Sequence, residues 1–170
     1  MTSFFTVEEA HITLQFSDDA QARADAIVFL GENRYAPSVP HLTDLVSQSD
    51  PGTRYLAAKA LGKIGDEAEA SVPTLLTAMR DNDMFLRAGI TGALINIGYP
   101  AVPGLTKALF DRNKAVKRAA AKALGKIGSD RCVPALINSL ADDDPGVRKF
   151  VREALERIDS PEARDALNDA

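Results

Sequence analysis

Three features of the sequence predict an all-α fold, an α-α superhelix of about five helix pairs. The segment Ala58–Asp66, AKALGKIGD, returns at 121–129 as AKALGKIGS. Leucines recur at Leu30, Leu61, Leu94, Leu124 and Leu155, spaced by 31, 33, 30 and 31 residues. A second series keeps the same period: Val39-Pro40, Val72-Pro73, Val102-Pro103 and Val133-Pro134. A fixed period of this length marks a stack of units that bury their apolar faces against one another. Composition points the same way. Of 170 residues, 45% are hydrophobic but only 6% aromatic, and Trp is absent. Alanine and leucine must therefore fill the interior, which favours closely packed helices over sheets.

The chain is read as one repeat domain over 1–170, with units at about 5–31, 37–65, 70–98, 101–128 and 131–158 and a C-terminal cap at 161–170. In the first unit, Thr6 and Glu9 form a capping-box pattern, with Val7, Ile12, Leu14 and Phe16 as apolar positions; Phe4 and Phe5 are expected to tuck against it. The last full unit shows the pattern of each pair most clearly. Val133-Pro134 opens a first helix carrying Leu136, Ile137 and Leu140, and Asp142–Pro145 makes a turn. Proline is well placed in a helix's first turn because its missing N–H is not needed there. Val147, Val151, Leu155 and Ile158 then share one face of a second helix. Pro161 starts a short polar helix expected to cover Leu155 and Ile158.

The repeated segment is the end of a second helix. Ala57, Leu61 and Ile64 are predicted to bury, and Gly65, Gly98 and Gly128 are expected to supply the left-handed residue that commonly ends a helix. Gly62 and Gly125 lie inside their helices, where glycine costs roughly 0.5–1 kcal/mol against alanine, so a close backbone approach there is the expected compensation. A phosphate loop is excluded, since the GxxxxGK[ST] spacing is missing and no strand leads in.

The units Asp50–Gly65 (DPGTRYLAAKALGKIG), Asn113–Gly128 (NKAVKRAAAKALGKIG) and Asp144–Ile158 (DPGVRKFVREALERI) resemble HEAT-like repeats of the phycobilin lyase type. The resemblance runs over about 36–158, with 5–31 as a degenerate first unit. It implies a helical-repeat solenoid. It also implies membership in a group whose lyase subunits help attach an open-chain tetrapyrrole to a phycobiliprotein cysteine, often beside a second HEAT-like chain. The Asn-His-Cys-Cys motif of the isomerising relatives is absent. A basic residue follows an acidic or amide residue by four positions in every unit: Asp19/Arg23, Asp50/Arg54, Asp83/Arg87, Asn113/Lys117 and Asp144/Arg148. The Asp or Asn is placed to cap its helix. Its partner is placed to reach that Asp or its equivalent in the next unit, a ladder that the resemblance makes structural. Asn113 and Lys117 depart from it, and Arg118 is not expected to substitute because adjacent helix residues point about 100° apart. Either a weaker link or an exchange of stiffness for positive potential is expected there.

The surface of the second helices is the expected working face. Its rows are Tyr55, Lys59, Lys63; Ala88, Gly92, Asn96; Arg118, Lys122, Lys126; and Lys149, Glu153, Arg157. Net charge is −4, yet 105–131 carries eight basic residues against Asp111 and Asp130, a local +6 that leaves −10 elsewhere. Such a segment either solvates an alanine-rich helix with long lysines or focuses potential on an anionic partner. Tyr55, Lys59, Lys63, Arg118, Lys122, Lys126, Lys149 and Arg157 are the candidate partner-binding residues. Ala88, Gly92 and Asn96, near Met84, Phe85 and Tyr99, form a possible ligand window. Propionates of a bilin would find counterions in Arg118, Lys122 and Lys126.

Catalysis has little to work with. No nucleophile stands in an evident pair with a base, and no catalytic residue is assigned. Cys132 is the one cysteine, at a helix start that could lower its pKa. His11 and His41, the only two histidines, read as packing or surface residues, and no metal site is expected. The acidic remainder disfavours nucleic acid. No basic, apolar leader or membrane-length run is present, so a reducing, cytoplasmic setting is expected. The functional expectation is a non-catalytic protein-binding scaffold with a basic patch for an acidic partner and no cofactor of its own. The alternative is a phycobilin lyase subunit or phycobilisome-related factor positioning a bilin or a phycobiliprotein, with a phycobiliprotein or a second HEAT-like subunit as partner.

Overall fold

The computed structural model describes residues 6–48 and 50–169, and all of its regular structure is helical. Its eleven α-helices among the described residues are α1 (Val7–Phe16), α2 (Ala20–Glu32), α3 (Val39–Gln48), α4 (Pro51–Ile64), α5 (Val72–Ala78), α6 (Met84–Ile97), α7 (Val102–Ala108), α8 (Lys114–Ile127), α9 (Val133–Asn138), α10 (Pro145–Ile158) and α11 (Pro161–Asn168). They make five successive helix pairs and a terminal helix, the all-α pattern of HEAT-like repeat units. The chain divides into two compact units, a first ending at Ile97 and a second beginning at Gly98.

In the first unit, the second helices α2, α4 and α6 stack in sequence, and α1 and α3 pack on their pair partners. Leu30, Leu61 and Leu94, the period leucines, are fully buried. The interior glycines explain how closely the second helices stack. A Cβ on Gly31 would lie 2.7 Å from Ala60 Cα, and one on Gly62 would lie 2.7 Å from Ala93 Cα. Each glycine therefore admits the backbone of the next second helix.

The second unit repeats the device. A Cβ on Gly125 of α8 would lie 2.6 Å from Ala154 Cα on α10. Leu124, Leu136, Val147, Val151 and Leu155 are buried, and α11 packs on α10 and α9. Gly65, Gly98 and Gly128 end their helices with φ of 85°, 78° and 72°. Of the three, only Gly128 takes the expected left-handed helical conformation, as Asp159 does after α10. Gly65 and Gly98, at ψ of −140° and −132°, adopt an extended positive-φ conformation that favours glycine.

A short 3₁₀ turn leads into each of α3, α5, α7 and α9. The residue before each Val-Pro pair is small and wholly buried: Ser38, Ser71, Ala101 and Cys132. Ser38 Oγ donates to Tyr35 O, Ser71 Oγ to Ala68 O and Cys132 Sγ to Ser129 O. Cys132 thus fills a serine's place in the turn.

At α1, Thr6 and Glu9 form the reciprocal capping box. Of the apolar positions near it, Leu14 is buried, whereas Ile12 and Phe16 are 60% and 75% exposed. Ala10 and Leu14 occupy the inward stripe of α1, and Ile12 and Phe16 lie off it. Phe4 and Phe5 lie outside the described residues.

Candidate functional site

Asp19, Asp50, Asp83, Asn113 and Asp144 all cap second helices, each accepting backbone N–H bonds from the first turn. The basic residues four places on do not bond these caps. Side chains at a helix start lean toward the N-terminus, which carries Arg23, Arg87 and Arg148 past the cap to the preceding loop. Arg23 Nη1 donates to Ser17 O, Arg87 Nη1 to Asp81 O and Arg148 Nη1 to Asp142 O, at 2.7, 2.6 and 2.7 Å. Arg54 Nε donates to Val46 O, and its Nη1 pairs with Asp81 at 2.6 Å, two residues before the next cap.

Beside each of three caps, an acid two positions earlier also acts in the turn. Asp81, Asp111 and Asp142 each accept the N–H of the cap residue two positions on. The recurring Asp-x-Asp or Asp-x-Asn spacing was the available signal. Asp81 and Asp142 also receive Arg54 and Lys117 from the preceding second helix. The Asp83 N–H, then Arg54, hold the Asp81 carboxyl below its ordinary range. Burial pushes Asp142 upward, but the bonds from Lys117 and the Asp144 N–H outweigh it.

Arg118 overturns the expectation of a weak link after α8. Its Nε and Nη2 bond both oxygens of Asp144 at 2.7 and 2.6 Å, while Lys117 takes Asp142. The adjacent residues diverge, as their helix positions require, and the two acids of the Asp-x-Asp turn receive one each. Gly146 makes the room: a Cβ there would lie 2.5 Å from Arg118 Nε. The Arg118 fork holds the Asp144 carboxyl at about 2.

The rows of the second helices lie at the surface, in different states. Tyr55 is half-buried, its ring against Gly89, where a Cβ would sit 2.8 Å from the ring, and Lys59 Nζ stands 5.6 Å from the ring centroid. Lys63 pairs with Glu32 at 3.0 Å, and Lys149 lies 3.8 Å from Glu153. Ala88 and Asn96 are exposed, and nothing lies within 4 Å of a Cβ placed on Gly92. Met84, Phe85 and Tyr99 are each about two-thirds exposed or more. Lys122, Lys126 and Arg157 are exposed and converge with Phe150 and Glu153 on a groove of about 130 Å³ between α8 and α10. A larger cleft, about 580 Å³, lies in the first unit at the C-terminal ends of α2 and α4, lined by Glu32, Arg34, Lys63, Asp66 and Asn96.

Cys132 is buried, and burial pushes its thiol up to about 11, the reverse of an activated nucleophile. Burial and the neighbouring His41 lower His11 from its ordinary value. No group of three or more His, Cys, Asp or Glu residues suited to a metal ion occurs among the described residues. No helix among them is long and apolar enough to cross a membrane.

Stacked helix pairs with a groove between successive second helices define a helical-repeat module built to present surface. The chain belongs to the HEAT-repeat family, whose profile matches residues 10–95 and 102–170. It is related in sequence to phycocyanobilin lyase alpha subunits. That of Picosynechococcus sp. is 32% identical over 126 residues, covering 74% of this chain and 38% of the relative. Deoxyhypusine hydroxylase of Candida albicans is 32% identical over 132 residues, covering 75% of this chain and 41% of that protein. The chain thus spans well under two thirds of the length of these relatives. Among solved structures, the complex of CpcE and CpcF of phycocyanin lyase from Nostoc sp. PCC7120 matches with a TM-score of 0.64 and 24% identity, over 98% of this chain and 70% of that one.

Proposed function

We propose that this chain is a non-catalytic HEAT-repeat component of a phycobilin lyase-type apparatus, which positions a phycobiliprotein, a bilin or both. The surface of its second helices is the working face, and a phycobiliprotein or a second HEAT-like subunit is the protein partner. The supporting observation is the groove between α8 and α10, where Lys122, Lys126 and Arg157 gather beside the aromatic ring of Phe150. Three cations beside an aromatic ring suit an acidic protein surface or the propionates of a flat tetrapyrrole. Arg118 is committed to Asp144, so the anion contact falls to Lys122, Lys126 and Arg157. The thiol that bonds the pigment belongs to the substrate protein. This chain supplies orientation rather than a reacting group.

The open space above Gly92, between exposed Ala88 and Asn96, offers a second place for a flat group to approach in the first unit. The relation to lyase alpha subunits supports this reading over a general scaffold.

The test mixes purified protein with apo-phycocyanin, with phycocyanobilin, and with a partner HEAT-like lyase subunit, following complex formation by size exclusion and bilin absorbance. Wild-type protein should bind at least one, and the K122E/K126E/R157E variant should lose that binding while keeping its helical circular dichroism. No binding to any of the three, or equal binding by the variant, would overturn the proposal.

A further inference from the structure

The only two histidines of the chain lie thirty positions apart and meet in the first unit. His11 Nε2, on α1, stands 3.3 Å from His41 Nδ1, on α3. The rings are edge-to-face, with centroids 5.1 Å apart, and the edge of Tyr35 braces His11 at a centroid distance of 5.4 Å. Both imidazoles are half-buried, and the third polar neighbour, Gln15, is exposed.

We propose that His11 and His41 form a binding site for one divalent cation of borderline softness, with Zn²⁺ as the reference ion. The spacing is the first reason. Hydrogen bonds from N–H groups usually span about 2.7–3.2 Å, so 3.3 Å is long for a bond between the rings. It matches the separation of two nitrogens that each sit about 2.0–2.1 Å from a tetrahedral metal, roughly 3.3–3.4 Å. The second reason is a surplus of neighbours. Gln15 Nε2 lies 2.8 Å from the same His11 Nε2, yet a ring nitrogen offers only one proton or one lone pair. Two neighbours compete for it. A cation accepts the lone pairs of both rings, and a flip of the Gln15 amide turns its oxygen toward the ion. Water completes the shell. Imidazole nitrogen selects Zn²⁺, Cu²⁺ or Ni²⁺ over Mg²⁺ and Ca²⁺, which prefer oxygen. The bound ion joins the first helices of two successive pairs and so clips α1 to the repeat that follows it. This site is independent of the groove between α8 and α10.

Calorimetry and thermal melting of the tag-free, full-length protein with ZnCl₂ test the proposal, with MgCl₂ as the control. Binding of one Zn²⁺ per chain and a rise in melting temperature reversed by EDTA are expected. His41→Ala should weaken binding by about tenfold or more. His41→Gln, which keeps a polar side chain of similar reach, should do the same with helicity unchanged. Cys132→Ser should bind as wild type. Failure of the wild type to bind one Zn²⁺, wild-type affinity in both His41 variants, or loss of binding in Cys132→Ser instead would overturn the site.

Discussion

Gly146 serves a side chain from another repeat rather than its own backbone. A methyl group there meets the Arg118 guanidinium at 2.5 Å from Nε and 2.7 Å from Cζ. The fork is the far end of a flexible chain, so it can swing away and leave Asp144. Gly146→Ala is therefore expected to change overall stability little, yet to raise the Asp144 carboxyl from about 2 toward the ordinary value of about 3.9. Carboxyl titration by NMR reads this directly. In the native protein, the depressed Asp144 adds stability that is complete above about pH 4 and fades as pH falls toward 2. Asp144→Asn should remove that part of the acid-side slope. Cys132 gives a second expectation at this scale. With a thiol at about 11 in a buried turn, it should resist alkylation at pH 8 until denaturant is added. Alkylation of the native protein at the denatured rate would contradict its burial.

At the scale of the helix, glycines of similar appearance have opposite roles. Gly125→Ala drives a methyl to 2.6 Å from the Ala154 backbone. Overpacking of this kind costs about 1–3 kcal/mol, more than the roughly 0.5–1 kcal/mol that alanine gains as a helix former. Gly92→Ala meets open space and keeps only the gain, so it should stabilise by about 0.5–1 kcal/mol. Urea denaturation of the two variants should give shifts of opposite sign. The roles of Gly62 and Gly125 are legible from their place in the repeat. That of Gly31 is not, because the first unit is too degenerate to display the column. In α1, apolar letters alone could not say which of Ile12, Leu14 and Phe16 turn inward; docking against α2 selects Ala10 and Leu14.

Across the whole chain, charge is unevenly placed: 105–131 carries most of the local positive excess of a protein with a net charge of −4. Two of those cations have carboxylate partners. Lys117 and Arg118 are bound to Asp142 and Asp144, so reversing them would damage the repeat and confuse loss of binding with loss of fold. Lys122→Glu and Lys126→Glu change exposed groups at the groove instead. Binding of an anionic partner there should weaken as salt rises from about 0.05 to 0.5 M, through screening, and the double variant should show a flatter salt dependence. A steep salt response retained in the variant would move the anionic contact elsewhere.

The period of the leucines, the Val-Pro pairs, the helix stops and the caps were legible in the sequence because each depends on residues close in the chain. Helical spacing, a fixed proline φ and a capping carboxylate act within a turn or two. The pairing of Arg118 with Asp144, the place of Cys132 among buried small residues, and the meeting of His11 with His41 belong to tertiary structure. Each depends on distances between groups that are local in space but remote or divergent along the chain, and those distances exist only once one helix pair rests on the next.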